Sequence, residues 1–184
     1  MNGQHKDEDD IYGGIKLLMR YKYLLFLMIA FLLSSGCHLF SINGRITKSL
    51  GIDIPQDLEI AYEDTHGALG DGDTFAVVYF NEDTAEDFLI SISENTDWYP
   101  LPLSENLSIM LYGGEKEGVN YSYSYAEEFN IPAALNGYWF FHNRHAKRIS
   151  PKDDSNLLEL SSANFTLAIF DVDTSTLYYW EYDS

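Results

Sequence analysis

Apolar and polar positions alternate in blocks along this chain, and the blocks change period. Residues 58–63 (LEIAYE) roughly alternate, as a half-buried strand does, while Thr74 to Phe80 (TFAVVYF) is almost wholly apolar and β-branched or aromatic. The Asp64–Asp73 stretch between them (DTHGALGDGD) is rich in glycine and aspartate and predicts the loop of a hairpin. Asp83-Thr84 then offer an N-cap, Glu86 and Asp87 occupy the first turn, and Phe88, Leu89 and Ile92 follow at helical spacing, which predicts a helix over 84–95. Trp98 to Leu103 (WYPLPL) breaks it. Ser104 caps a second short helix through Leu107, Met110 and Leu111, stopped at Gly113-Gly114.

Beyond the second helix, residues 113–136 show no dominant period. Tyr121, Tyr123 and Tyr125 alternate with serines there, as one strand face or an exposed aromatic row would. Three strands close the chain: Gly137–Asn143, Asn164–Asp171 and Thr176–Tyr182, the last two a hairpin through Val172–Ser175. This order predicts a single α+β domain over 58–184. Its sheet is expected to be mostly antiparallel, with about five strands and two helices on one face.

Residues 16–37 (KLLMRYKYLLFLMIAFLLSSGC) follow neither period. Arg20 and Lys22 precede an unbroken apolar run from Leu24 to Leu33, and Ser34, Ser35 and Gly36 lead into Cys37. Ten apolar residues fall short of the ~20 that a spanning helix requires and match the core of an export signal. The LSSGC at 33–37 resembles the lipobox of bacterial lipoproteins. The resemblance implies a signal peptide over 1–36, lipid on Cys37, a tether over 37–57 and a place on the extracytoplasmic face of a cell membrane. The acidic run Asp7-Glu8-Asp9-Asp10 is unusual ahead of such a core, and translation from Met19 would leave a compact basic n-region.

Composition sharpens this picture. The net charge of −18 is carried entirely after residue 36, because residues 1–36 hold four acids and four bases. Such a domain is a poor match for nucleic acid, whose phosphates are met by clustered Lys and Arg. Cys37 is the sole cysteine, so no disulfide or thiolate cluster forms within the chain. Fifteen per cent aromatic residues supply the burial a packed core needs. With the 64–73 loop and the ending NFTLAIFDVDTSTLYYWEYDS, the lipobox makes the chain similar to small uncharacterised bacterial lipoproteins. That resemblance implies a location and brings no activity.

Candidate chemistry is thin. Asp64, His66, Asp71 and Asp73 are residue types that ligate divalent cations, yet Asp71-Gly72-Asp73 lacks the glutamate that closes an EF-hand loop. The plainer reading is a turn whose aspartates bond its own backbone, so no metal and no cofactor are expected. The segment His142–Arg148 gathers basic residues after residue 36; Arg144 and His145 are its candidates for contact with an anionic ligand. No nucleophile elbow, H-E-x-x-H, P-loop or G-x-G-x-x-G is present, and no catalytic residue is assigned. The expected function is a non-enzymatic binding domain for an unidentified protein or envelope ligand. The alternatives are a small envelope hydrolase using acids near the 64–73 loop, or a lipoprotein protective against phage or toxin.

Overall fold

The computed structural model describes residues 22, 41–67, 70–134, 136–144, 152–159 and 162–184. Apart from Lys22, the residues 1–36 read as a signal peptide lie outside the described residues, as do Cys37 and His145. Contacts divide the chain into Met1–Gly44 and Arg45–Ser184, and the sheet lies in the second.

Its centre is a six-stranded sheet in the order β1-β2-β8-β7-β6-β3, every neighbouring pair antiparallel. The strands are β1 Glu59–Asp64, β2 Gly72–Tyr79, β3 Trp98–Pro100, β6 Gly137–Asn143, β7 Asn164–Asp171 and β8 Thr176–Asp183. β4 Gly114–Lys116 and β5 Val119–Tyr121 form a separate ribbon, turned at Glu117 and Gly118, both at positive φ. The helices are α1 Ile42–Leu50, α2 Glu82–Ser93, α3 Glu105–Tyr112 and α4 Tyr125–Glu128, with one 3₁₀ turn at Leu157–Glu159. The α+β class with a mostly antiparallel sheet therefore holds. The expected counts do not: among the described residues the sheet has a sixth strand, a second small sheet exists, and there are four α-helices.

The β7–β8 hairpin forms where two runs rich in aromatic and β-branched residues flank the Val172–Ser175 turn. The Asp171 carboxylate accepts the backbone N–H of Asp173 at 3.0 Å and the Thr174 hydroxyl at 2.9 Å, closing the turn. β7 is buried along almost its whole length. Adjacent residues of a strand point to opposite faces, so a continuous apolar run means that both faces are covered. On one face, Phe75, Phe141, Phe165, Leu167, Ile169 and Trp180 pack with Leu107, Met110 and Leu111 of α3 and Ala126 of α4. On the other, Phe170 meets Phe80 and Phe88 of α2 edge-on, at ring centroids 5.6 and 5.0 Å apart. The expectation of helices on one face is thus corrected. α2 and α3 cover opposite sides.

Two local expectations also shift. Asn81, rather than Asp83 or Thr84, caps α2: its side chain accepts the Thr84 N–H at 3.0 Å. Part of the stretch assigned to a tether is α1, ended by Gly51 at φ 66°. Ile46, Leu50 and Ile54 are buried, and the Tyr179 hydroxyl on β8 bonds Ser49 at 3.1 Å. The apolar residues four apart that make this face were too few to stand out among glycine and polar neighbours.

Candidate functional site

Three of the loop and segment residues singled out by sequence meet at one end of the sheet, but in company not foreseen. Arg45 Nη1 pairs with Asp64 Oδ2 at 3.0 Å, and Asp64 Oδ1 meets His66 Nδ1 at 2.7 Å. His66 Nε2 lies 3.1 Å from Asp183 Oδ2, and Asp183 Oδ1 is 3.1 Å from Arg144 Nη1. Arg144 Nη1 is also 3.1 Å from Glu181 Oε1, whose other oxygen accepts Arg45 Nε at 2.7 Å. The six side chains close a ring of alternating sign.

Strand geometry explains the convergence. Tyr179, Glu181 and Asp183 alternate down one face of β8, and Asp64 pairs with Thr74 of the adjoining strand. Arg144 follows the end of β6 and also donates to the carbonyls of Phe165 and Tyr182 at 3.1 and 3.2 Å. Glu181 is nearly buried and takes the Tyr179 hydroxyl as well, at 2.8 Å. Burial alone would pull the His66 imidazolium down. Its hydrogen bonds to Asp64 and Asp183 outweigh that and hold its pKa above the usual value. For Asp64, burial works upward, and the His66 contacts win and depress it.

The loop candidates do not form one group. Asp73 lies on the opposite face of the sheet, where Oδ1 accepts Trp180 Nε1 at 2.6 Å. Asp71 is exposed, and its carbonyl accepts the Gly67 N–H at 3.1 Å across the turn. Among the described residues, no three His, Cys, Asp or Glu side chains group as a cation site would. Sequence reading missed Arg45, Glu181 and Asp183. The period-two row on β8 is the one signal that pointed to the two acids.

The aromatic residues divide between core and surface. Trp98 and Trp180 are buried. Tyr121, Tyr123 and Tyr125 stack in a half-buried row at 6.0 Å spacing that continues to Phe129. Tyr125 is pushed up to about 12 by burial, with Tyr182 and Asp73 adding to it.

Among the described residues, α3 borders two clefts. The smaller, about 70 Å³, runs along Tyr123, Tyr125, Trp180 and Tyr182. The larger, about 300 Å³, is walled by Leu101, Pro102, Leu103, Ala133 and Ala134, with Ile169 among its lining residues. Ser108 and Tyr112, one turn apart on α3, are the hydroxyl-bearing residues of its lining. Tyr112 donates to the Pro132 carbonyl at 2.9 Å, which fixes its ring and leaves its oxygen able to accept. The cleft is half-open and mainly apolar, at the lower end of the size range of small-ligand sites. Its walls come from segments far apart in the chain, and no sequence motif marks them.

Compared with protein-family models, with curated proteins and with solved structures, the chain matches none.

Proposed function

We propose that this chain is a lipid-anchored binding domain on the extracytoplasmic side of a membrane, held through Cys37 and using the larger cleft beside α3 as its ligand site. The observation that carries the binding reading is the cleft: about 300 Å³, apolar on most sides, with Ser108 and Tyr112 of α3 as the hydroxyl-bearing residues in its lining. It suits a ligand with an apolar body and one hydrogen-bonding group, such as an apolar peptide side chain or a short acyl group. The hydrolase alternative draws on acids of the 64–73 loop. Asp64 is engaged by Arg45 and His66, and Asp73 by Trp180, which favours binding over that chemistry.

The anchor reading rests on the residues before Cys37. Among the described residues no helix is long and apolar enough to cross a membrane.

Two measurements test the proposal separately. Labelled palmitate fed to cells making the full chain should enter the protein and be absent from Cys37→Ala. An unmodified Cys37 still joined to residues 20–36 in the membrane fraction refutes the anchor. A naphthalene-sulfonate dye should bind the folded protein near α3, and Ser108→Trp or Ala134→Trp should abolish that binding while leaving the circular dichroism unchanged. Undiminished dye binding in both filled variants refutes the cleft.

A further inference from the structure

The two edges of the six-stranded sheet are finished differently. Exposed edges offer unpaired N–H and C=O groups to any extended chain, and proteins blunt them with short strands, proline, lysine or bulges. β3 is blunted: it is three residues long and ends at Pro100, which has no N–H to give. β1 has no proline, lysine, bulge or shortening; its one device is negative charge, on Glu59, Glu63 and Asp64. It runs six residues from Glu59 to Asp64 without Pro or Lys, in unbroken register with β2. Nearly all of it is exposed, with Tyr62 at 60%.

The register identifies its open groups. Thr65 N–H donates to the Asp73 carbonyl at 2.8 Å, so Thr65 points its backbone toward β2. Alternation then turns Glu63, Ala61 and Glu59 inward, and sets the N–H and C=O of Ile60, Tyr62 and Asp64 along the free edge. Among the described residues, no hydrogen bond to these outward groups is found. The side chains alternate too. Glu59, Ala61 and Glu63 lie on one face, and Ile60, Tyr62 and Asp64 on the other.

We propose that β1 is a docking edge for an extended, basic segment of a partner protein, which adds to the sheet as a seventh strand. The chemistry of that segment follows from the faces. Lys or Arg at every second position would meet Glu59 and Glu63, and apolar or aromatic residues between them would cover Ile60 and Tyr62. A second copy of this chain is a poor occupant, because each copy carries −18. The acidic edge thus resists self-pairing while staying open to a basic strand. This surface is distinct from the cleft beside α3 and does not depend on it.

The test uses the full chain in mild detergent and a synthetic peptide alternating Lys with Val and Tyr. Backbone amide exchange is followed by NMR in 0.15 M salt. The peptide should slow exchange of the Ile60, Tyr62 and Asp64 amides at least tenfold and leave the inward Ala61 and Glu63 amides as they were. Glu59→Lys plus Glu63→Lys, at exposed positions, should weaken binding at least tenfold with the circular dichroism unchanged. A peptide of the same composition with proline at every third position should give no protection, since it cannot pair. The proposal is overturned if the peptide binds without protecting the outward amides, if the proline peptide protects them equally, or if the double reversal binds as tightly. It is also overturned if those amides are already protected in the protein alone and sedimentation shows a dimer, since β1 then pairs with itself.

Discussion

Replacing Ile46 by alanine separates a helix packed into the domain from a segment that merely links a lipid to it. Ile46 is 0% exposed, and Leu50, one turn on, is 3%. Ile46→Ala removes three carbons, worth about 2.4 kcal/mol at about 0.8 kcal/mol per buried CH₂. The void left behind adds to this, since buried Ile→Ala changes cost about 2–5 kcal/mol in all. About 3 kcal/mol is therefore expected. In a domain of this size that lowers Tm by about 10 °C, between the values typical of smaller and larger domains. Lys48, exposed on the same helix, supplies the control: Lys48→Ala should stay within about 0.5 kcal/mol. Urea and thermal unfolding of the full chain, followed by circular dichroism, give both numbers under one condition. The same reasoning extends to a chain that begins at Leu58. It lacks Ile46, Leu50 and Ile54 together, along with Arg45, and should lose its cooperative transition. A loss below about 1 kcal/mol in Ile46→Ala, or a sharp transition in the chain from Leu58, would refute the packing of α1 and return residues 42–57 to the role of a linker.

Three further outcomes follow from the sheet and its adjoining loop. His66 is raised above its usual value in the folded protein, so its contribution is complete below pH ~6.5 and is lost as pH rises through the folded value. The urea midpoint of the wild type should fall between pH 6 and 8.5 relative to that of His66→Asn, and parallel midpoints would remove the imidazolium from the ring. Asp64 acts in the opposite sense: its depressed value means stability lost as pH falls below ~3.8, with Asp64→Asn flattening that limb. Gly137→Ala should cost at least about 3 kcal/mol, because its Cβ would sit 1.9 Å from the Phe170 carbonyl oxygen at φ 153°. A Tm within 3 °C of wild type would show that the β6–β7 approach can relax.

Legibility in the sequence tracked how local each cause is. The β7–β8 hairpin was readable because both strand-forming runs and the turn between them lie within twenty residues. α3 was readable from Ser104, whose hydroxyl accepts the Leu107 N–H at 3.2 Å. α1 was not, because the β8 groups that bond its Arg45 and Ser49, Glu181 and Tyr179, lie more than a hundred residues on. The same distance hid the ring, since Arg45 finds Glu181 through the fold alone. One nonlocal feature did leave a trace: an apolar run as unbroken as NFTLAIFD belongs to a strand covered on both faces, which already spoke against placing both helices on one side. Strand parity would likewise have parted Asp73 from Asp64, because the hairpin register puts Asp64 opposite Thr74, and Asp73 therefore on the reverse face.

The ring also shapes the surface around it. Arg45 and Arg144 are two of the few basic residues after residue 36, and both turn toward Glu181. Spending them there keeps a nearly buried carboxylate paired, as an uncompensated buried charge would be costly. The same arrangement withholds positive charge from the rest of the exterior. Glu59 and Glu63 on β1 are left to set the local field, with Arg45 reaching only the Asp64 end of that strand. The charge that closes the ring at one end of the sheet and the acidity of the open edge are therefore two results of one allocation. Weakening the ring by Glu181→Gln should free arginine charge toward β1 and lower the affinity of a basic strand for an edge it does not touch.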